Sequence, residues 1–272
     1  MESVINYYTG FAEREWTRLV REPLEFIVNF HYIKHYLPEN AHILDNGAGP
    51  GKYSMALAKN GYQITLSDVT PKLVALAEEK AKELNLSNQF NGFYTADAAN
   101  LTLFPDAAFD AALMMGPLYH LQTDEARHKA VKELNRITKK DGYVFVAFRS
   151  RSHHMYASLQ TPDNWRPNNS IESIRTFLET GIFNHQEKGR FTGAYFYKVE
   201  DICPFMESNG FQTSELIGST GLGAALNESS WNLWREKGDS ELNKLTELLI
   251  ETAKDPYLLG ISSHLLYIGK KI

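Results

Sequence analysis

Residues 43–52 read Ile43-Leu44-Asp45-Asn46-Gly47-Ala48-Gly49-Pro50-Gly51-Lys52. The apolar residues at the start of this stretch favour a strand, and the segment Lys52–Lys59 that follows the glycines has the pattern of a helix. Because glycine lacks a Cβ, the alternating glycines allow the backbone to approach a ligand closely. A strand, a glycine-rich turn and a helix form the first unit of a nucleotide-binding α/β sheet.

Asp45 indicates which ligand such a turn would bind. A dinucleotide places its anionic pyrophosphate at the helix N-terminus, where backbone N–H groups and the helix dipole favour negative charge. A carboxylate two residues before the first glycine would repel a pyrophosphate, but it suits a ligand that carries an ammonium group. The spacing is also G-x-G-x-G, whereas dinucleotide sites use G-x-G-x-x-G. An adenosyl ligand with an amino-acid tail, S-adenosylmethionine, therefore fits better than NAD.

With this first motif the chain resembles the class I S-adenosylmethionine-dependent methyltransferases, and the resemblance covers nearly the whole chain. It implies an α/β, Rossmann-like fold in which a seven-stranded, mostly parallel sheet has helices on both faces. The last strand is expected to insert antiparallel between the fifth and sixth strands. The segment Gly116-Pro117-Leu118-Tyr119-His120-Leu121 further resembles a bacterial subgroup of the family that acts on small molecules.

Hydrophobic periodicity places the elements that follow the first strand. The predicted strands are 62–67, 92–95, 107–115, 143–148, 211–217 and 261–268, and the predicted helices are 52–59, 71–86, 123–140, 198–210 and 241–253.

The chain divides into three expected parts. Residues 41–149 and 195–272 form the S-adenosylmethionine-binding domain, and residues 150–194 form a polar, irregular cap insertion that faces the substrate. Residues 1–40 form a helical leader. The leader either covers the edge of the sheet or acts as a lid over the ligand, with Tyr7, Tyr8, Trp16 or Arg18 facing inward.

Two acids are predicted to hold the adenosine part of the cofactor. Asp68 lies about twenty residues beyond the glycine turn, where Rossmann-like folds place the carboxylate that accepts the ribose hydroxyls. Its alternative role is a helix N-cap before Pro71. The resemblance implies that Asp97 meets the adenine amino group and that the adjacent backbone N–H meets a ring nitrogen; the alternative is a turn-forming Asp. Arg18 is a candidate partner for the cofactor carboxylate. The expected cofactor-binding residues are Arg18, Asp45, Gly47, Ala48, Gly49, Asp68, Val69, Asp97, Ala98, Met115, Gly116 and Leu118.

The catalytic candidates follow from the chemistry of methyl transfer. Displacement at a sulfonium methyl group mainly requires proximity and alignment, and a base is needed only when the nucleophile must lose a proton. His120 is the first candidate because it follows the fourth strand at the cofactor edge, and Tyr119 is placed to orient the substrate. His153 and His154, just past the fifth strand, are the next candidates. The alternative is that His120 only hydrogen-bonds the neighbouring loop and that His153 and His154 are solvated loop residues.

Composition sets the remaining limits. The formal charge of -5 argues against a broad nucleic-acid footprint, and the lone Cys203 excludes an intramolecular disulfide and a cysteine-cluster metal site. The histidine spacing does not indicate a metal, and neither a signal peptide nor a membrane span is expected. We therefore expect a cytoplasmic monomer or homodimer, without a nucleic-acid or membrane partner.

The expected reaction is transfer of a methyl group from S-adenosylmethionine to an oxygen, nitrogen or other nucleophile of a small-molecule methyl acceptor, which leaves S-adenosylhomocysteine. Two other functions compete with it. One is a non-catalytic S-adenosylmethionine-binding regulatory protein on the same fold, and the other is an NAD(P)-dependent oxidoreductase.

Overall fold

The computed structural model of this chain describes residues 5, 8–10, 12–21, 23–187 and 190–272, with the backbone alone for residues 14 and 18–21. Tyr7 and the side chain of Arg18, both predicted to face the ligand, lie outside this description.

Strands and helices alternate through the first half of the chain. The strands are β1 (His42–Asn46), β2 (Gln63–Asp68), β3 (Phe90–Thr95), β4 (Phe109–Met114), β5 (Thr138–Arg149), β6 (Ile182–Phe183), β7 (Ala194–Tyr195), β8 (Phe211–Gly218) and β9 (His264–Lys271). From Ala12 onward, the α-helices among the described residues are α1 (Ala12–Arg21), α2 (Pro23–Tyr36), α3 (Lys52–Lys59), α4 (Pro71–Glu83), α5 (Asp124–Ile137), α6 (Arg151–Gln160), α7 (Ile171–Thr180), α8 (Val199–Glu207), α9 (Glu228–Glu236) and α10 (Asp239–Glu251). None of the helices in the described ranges combines the length and the apolar composition that crossing a membrane requires.

Seven strands form one sheet in the order β3-β2-β1-β4-β5-β9-β8. The pairs from β3 to β5 are parallel. β9 pairs antiparallel with both β5 and β8, so that Phe145 lies opposite Ile268 and Leu216 lies opposite Tyr267. The expected insertion of the last strand between the fifth and sixth strands of this sheet is confirmed. Because β1, β2 and β4 run in the same direction, their carboxyl ends meet at one edge of the sheet.

Apolar side chains bury both faces of this sheet. Neighbouring residues of β4 point to opposite faces: Leu113 packs in a cluster with residues of α2, α3 and α4, and Met114 packs in a cluster with residues of α5 and α8. Both side chains are fully buried. The parallel strands therefore have an apolar run and not an alternating pattern, as the sequence predicts for strands covered on both sides.

The cap insertion differs from its prediction. Residues 150–194 are largely regular, since they contain α6, α7 and the strand pair β6–β7. The Ser150 hydroxyl caps α6 by accepting the His153 N–H, and Ser170 caps α7 by accepting the Ser173 N–H. Gly181 ends α7 with a φ of 70°. The expectation of an irregular segment was wrong because these cap signals lie within a polar composition that is typical of loops.

The leader packs on the sheet through α2 and on α4 through its first residues. Val28 and Ile33 of α2 are buried in the apolar cluster of the sheet. Tyr8 and Ala12 form a small separate apolar cluster with two leucines of α4, Leu73 and Leu76. The Trp16 ring lies 4.5 Å from the Lys52 ammonium and 5.8 Å from that of Lys80. These contacts hold the start of the leader above the ends of β1 and β2.

Candidate active site

A cavity opens at the carboxyl ends of β1, β2 and β4. It encloses about 950 Å³ of space, which includes its mouth open to solvent. Its wall consists of Tyr8, Glu15, Gly47, Ala48, Gly49, Pro50, Lys52, Tyr53, Asp68, Val69, Thr70, Leu73, Ala96, Asp97, Ala98, Met115, Gly116, Pro117, Tyr119, His120 and Leu121.

Two glycines of the first motif have different roles in this wall. Gly47 has a φ of 71°, and a Cβ at this position would overlap the ring of Pro117. Gly49 has a φ of 58°, and a Cβ there would meet no atom within 4 Å among the described residues. Gly47 therefore allows two backbone segments to pack together, whereas Gly49 leaves open space beside the cavity. Only the second role is the close approach to a ligand that the sequence predicts.

Asp68 lies in the cavity wall at the end of β2. Its Oδ2 accepts the Gly49 N–H at 2.8 Å and its Oδ1 accepts the Thr70 N–H at 2.8 Å. Each carboxylate oxygen has two lone pairs, so both retain capacity for a ligand hydroxyl. The N-cap of α4 is Thr70, so the alternative N-cap role does not belong to Asp68. Burial raises the pKa of Asp68, and the two backbone N–H groups oppose that shift.

Asp45 lies at the end of β1 but outside the cavity wall. It is 1% exposed, and its Oδ2 accepts the Ser54 hydroxyl at 2.6 Å. Its Oδ1 is buried without a hydrogen-bond partner among the described residues. Burial raises the pKa of Asp45 to about 6, the Ser54 hydrogen bond opposes the shift, and the Asp68 charge adds to it. The carboxylate is therefore a second acidic group behind the turn, where it disfavours a bound anion.

The other predicted cofactor residues divide between wall and core. Ala48, Val69, Asp97, Ala98, Met115 and Gly116 all line the cavity. Asp97 accepts the Ala99 N–H through Oδ1 at 2.9 Å, which makes it a turn-forming residue and a wall residue at once. Leu118 is fully buried in the apolar cluster beneath the cavity, so its side chain is not available to a cofactor.

Tyr8, Tyr119 and His120 line the same cavity as Asp68 and Asp97. The Tyr8 hydroxyl lies 3.0 Å from the His120 Nε2, and the two rings are T-shaped with centroids 5.6 Å apart. The Tyr119 hydroxyl donates to the Met115 carbonyl at 3.4 Å. Burial lowers the pKa of His120 to about 4, the Gly193 backbone opposes this shift and the Arg149 charge adds to it. His120 is therefore neutral near pH 7, as a proton acceptor must be.

The structure places His153 and His154 away from the cavity wall. Both are in α6, and the His153 Nδ1 lies 2.7 Å from the Ile261 carbonyl. His154 is 1% exposed, and the rings of Trp165, Phe177, Phe183 and Phe196 lie within 4.9 Å of its own, centroid to centroid. Burial lowers the pKa of His154 to about 3. Its position is that of a core residue of the cap, which disagrees with the catalytic expectation.

Sequence reasoning missed several wall residues, among them Glu15, Lys52, Tyr53 and Thr70. Lys52 is the first residue of α3 and Thr70 is the N-cap of α4. The start of a helix that follows a strand is a position that could have identified them. Glu15 has no such signal, because only the packing of the leader brings it to the cavity. Within the described ranges, His, Cys, Asp and Glu side chains do not form a group of three or more placed to hold a metal ion.

Arg149, His264 and Glu25 form a chain of polar contacts beside Tyr119. Arg149 Nη1 donates to His264 Nε2 at 2.7 Å, and His264 Nδ1 lies 3.4 Å from Glu25 Oε2. Because a guanidinium only donates, Nε2 of His264 must carry the lone pair and Nδ1 the proton. The Tyr119 and His264 rings are 6.1 Å apart. This chain ties α2 of the leader to β5 and β9.

The chain is similar to known methyltransferases. Residues 44–146 match the family described as a methyltransferase domain, which is less than half of the chain. The chain is 34% identical over 110 residues to tRNA (carboxymethyluridine(34)-5-O)-methyltransferase of Arabidopsis thaliana, a match that covers 40% of this chain and 24% of that protein. It is 23% identical to the ubiquinone biosynthesis O-methyltransferase of Xanthomonas axonopodis, over 80% of this chain and 83% of that protein.

A solved structure shares the fold along almost its full length. A SAM-dependent methyltransferase from Methanosarcina mazei superposes with a TM-score of 0.58 at 22% identity, over 89% of this chain and 97% of that one. The domain match and the Rossmann-like methyltransferase fold support a class I S-adenosylmethionine-dependent methyltransferase. They also support S-adenosylmethionine as its cofactor.

Proposed function

We propose that this protein is an S-adenosylmethionine-dependent methyltransferase that acts on a small molecule and releases S-adenosylhomocysteine. One observation carries the proposal: a single cavity is lined by the glycine turn, Asp68 and Asp97, which we call the cofactor side, and also by Tyr8, Tyr119 and His120, which we call the acceptor side. The first side has the groups that an adenosyl cofactor needs, and the second has neutral polar groups beside apolar surface. A methyl donor and its acceptor must share one cavity for direct transfer.

The cofactor side fits the adenosyl group by its hydrogen-bonding capacity. Asp68 would accept the ribose hydroxyls with the lone pairs that Gly49 and Thr70 leave unused. Asp97 and the backbone of Ala98 would hold the adenine ring, and the open space at Gly49 would admit the amino-acid tail. When bound, S-adenosylmethionine supplies an electrophilic methyl group on a sulfonium. The protein's contribution is to hold the acceptor in line with that methyl group.

The charges of the wall argue against a dinucleotide. Among the described residues of the wall, Glu15, Asp68 and Asp97 are acids and Lys52 is the basic residue that opposes them. The buried Asp45 adds a further carboxyl group behind the turn. This acidic surrounding disfavours the two negative charges of a pyrophosphate at the glycine turn, and it tolerates a sulfonium and an ammonium group.

The acceptor side favours an uncharged or aromatic small molecule. Tyr119, His120, Leu121 and Pro117 present rings and apolar surface, and His120 is neutral near pH 7. Aromatic side chains bind flat apolar ligands through large contact areas, and their polar tips orient a single hydroxyl or amine. The formal charge of -5 weighs against an RNA acceptor, although one similar protein carries a tRNA methyltransferase name.

The test begins with calorimetric titrations of S-adenosylmethionine, S-adenosylhomocysteine and NAD into separate samples of the protein. We expect both adenosyl ligands to bind and NAD not to bind. Asp68→Asn should weaken the binding of both ligands, and Asp163→Asn, which changes an exposed acid outside the cavity wall, should not. Binding of NAD alone would overturn the proposal.

The acceptor is then sought with radiolabelled S-adenosylmethionine and separate panels of phenols, amines and thiols, with bulk tRNA as a parallel arm. Transfer to a member of a small-molecule panel supports the proposal. Transfer to tRNA alone contradicts the small-molecule class, and tight adenosyl binding without transfer to any arm favours a regulatory binding protein.

A further inference from the structure

The contact between Tyr8 and His120 joins two distant parts of the chain inside the cavity. The two residues are 112 positions apart, and the Tyr8 hydroxyl lies 3.0 Å from His120 Nε2. Both side chains line the cavity. The contact therefore pairs a phenol with a neutral imidazole at the place where an acceptor would sit.

The position of Tyr8 is set by α4 and not by its own segment alone. Its ring packs in the small apolar cluster with Leu73 and Leu76. The Lys72 ammonium donates to the carbonyl of Thr9, the next residue, at 3.0 Å. Since α4 begins three residues after Asp68, the helix that follows β2 also positions this phenol.

The other nitrogen of His120 cannot meet an acceptor directly. Nδ1 is buried and makes no hydrogen bond of ordinary geometry among the described residues. The Gly193 backbone favours the protonated imidazole, as a nearby carbonyl does. We take the tautomer with the proton on Nδ1, which the NMR experiment below tests. With the proton on Nδ1, Nε2 carries the lone pair, and Tyr8 donates its hydroxyl proton to it. While Tyr8 occupies this place, His120 has no open lone pair toward the cavity.

We propose that Tyr8 is the catalytic residue that contacts the methyl acceptor and that His120 is a positioning residue that acts through it. This inference rests on the proposed function. For a hydroxyl acceptor, the acceptor oxygen forms a bond to the methyl carbon while the sulfur–carbon bond breaks and its electron pair stays on sulfur. The acceptor proton passes to the Tyr8 oxygen, and the Tyr8 proton passes to His120 Nε2. The products are a methyl ether, S-adenosylhomocysteine and an imidazolium that releases its proton to solvent after product leaves.

The relay does not require a strong base. As the new carbon–oxygen bond forms, the acceptor oxygen becomes an oxonium, which is far more acidic than an imidazolium. A weakly basic imidazole is therefore sufficient, and its burial ensures that it starts without a proton. The groups that face His120 are Tyr8 from the leader, Tyr119 from its own segment and the Arg149 cation from β5. The His264 ring lies 6.1 Å from the Tyr119 ring, centroid to centroid.

The first experiment uses nitrogen-15 labelled histidine and NMR on the intact protein bound to S-adenosylhomocysteine. We expect the proton of His120 on Nδ1 in the wild type. In Tyr8→Phe we expect the pKa of His120 to rise, because the hydroxyl that donates a hydrogen bond to the neutral imidazole is lost. Tyr156→Phe removes an exposed hydroxyl bonded to Gln160 and should leave the titration unchanged. A proton on Nε2 in the wild type, or an unchanged titration in Tyr8→Phe, would overturn the relay.

The second experiment measures turnover on the acceptor that the panels identify. We expect Tyr8→Phe and His120→Gln each to lower kcat by about 100-fold, the lower end for general base catalysis, with S-adenosylhomocysteine affinity changed less than about twofold. The double variant should be no slower than either single variant, because the residues act as one unit. If the fold-loss of kcat in the double variant equalled the product of the two single losses, the relay would be overturned. Failure of the wild type to bind S-adenosylhomocysteine would instead overturn the proposed function, and the same NMR measurement on the ligand-free protein would still report on the Tyr8–His120 pair.

Discussion

The two sides of the cavity are built in different ways. The cofactor side comes from the ends of parallel strands. Gly47 directly follows β1, Asp68 ends β2 and Asp97 lies two residues after β3. The acceptor side combines Tyr8 of the leader with Tyr119 and His120 from the segment after β4. The first side is fixed by local sequence order within a sheet. The second requires two segments 112 residues apart to pack together.

This difference has a physical consequence. Backbone N–H groups and carboxylates at strand ends give directed hydrogen bonds that suit one constant ligand. Ring surfaces and a neutral imidazole give contact area with few fixed partners. Under the proposed function, the directed contacts at the strand ends would hold the cofactor, and the residues that pack over them would select the acceptor.

The largest effect is expected from a change on the cofactor side, Gly47→Ala. A Cβ at Gly47 would overlap the Pro117 ring, and its φ of 71° is strained for alanine. Overpacking and strain together should lower the free energy of unfolding by about 2–5 kcal/mol and shift the glycine turn, so adenosyl binding should fall sharply. Chemical denaturation and calorimetry measure the two effects.

Gly61→Ala is the matched control for this change. Gly61 has a φ of 90°, and a Cβ there meets no atom within 4 Å among the described residues. The Gly61→Ala variant should have a backbone strain of about 1–2 kcal/mol without a steric overlap like that at Pro117, and it should bind adenosyl ligands as the wild type does. Equal stability losses in the two variants would contradict the overlap at Pro117.

A smaller effect is expected from Asp68→Ala. Loss of hydrogen bonds to a charged acceptor should weaken S-adenosylmethionine binding by about 1–3 kcal/mol. Because Asp68 also accepts the Gly49 N–H, part of this loss would come from a less ordered turn. Calorimetry on Asp68→Ala and Asp68→Asn separates the charge from the hydrogen bonds. Unchanged affinity in a folded variant would remove Asp68 from the ribose role.

Buried histidines and the buried Asp45 should make stability depend on pH with opposite signs. The pKa of His120 is lowered to about 4 and that of His154 to about 3, so the folded protein binds fewer protons than the unfolded chain below pH 6.5. The stability that these histidines contribute falls as the pH is lowered from about 6.5 toward 4, by up to about 1.4 kcal/mol per pH unit for each histidine. Asp45, with its pKa raised to about 6, has the opposite sign: its contribution is present at low pH and is lost as the pH rises through about 6.

Urea unfolding between pH 4.5 and pH 7 tests this opposition. His154→Phe replaces the imidazole within a cluster of four rings by another ring and should reduce the loss of stability at acid pH. Asp45→Asn removes the opposing group and should make that loss steeper. The same pH dependence in both variants and the wild type would show that other groups determine it.

The smallest effect is expected from Tyr119→Phe. The Tyr119 hydroxyl reaches the Met115 carbonyl at 3.4 Å, a long hydrogen bond, so its loss should change the free energy of unfolding by about 0.5 kcal/mol. The ring remains, and S-adenosylhomocysteine affinity should stay within about twofold. A large loss of affinity would show that the acceptor side also holds the cofactor, and the division between the two sides would then fail.

Some elements were predictable from sequence because their signals are local. The glycine turn, Asp68 and Asp97 stand at fixed places relative to strand ends, and strands are marked by apolar runs. The helices of the cap were missed although Ser150 and Ser170 cap them, because polar composition masked their periodicity. His154 looked like a catalytic candidate by its position after β5, yet α6 turns its ring into the aromatic core of the cap.

Whereas the place of the last strand in the sheet came from the resemblance to a known family, the sequence by itself determined the α/β class, the alternation of strands and helices along the chain and the position of the glycine turn after the first strand. These features depend on residue periodicity and on turn residues, which act over a few positions. Only the tertiary structure decided that Tyr8 meets His120, that Glu15 reaches the cavity and that Leu118 and His154 are core residues. Each of these depends on how separate elements pack, and packing is set by the shapes of distant side chains together, which local sequence does not encode.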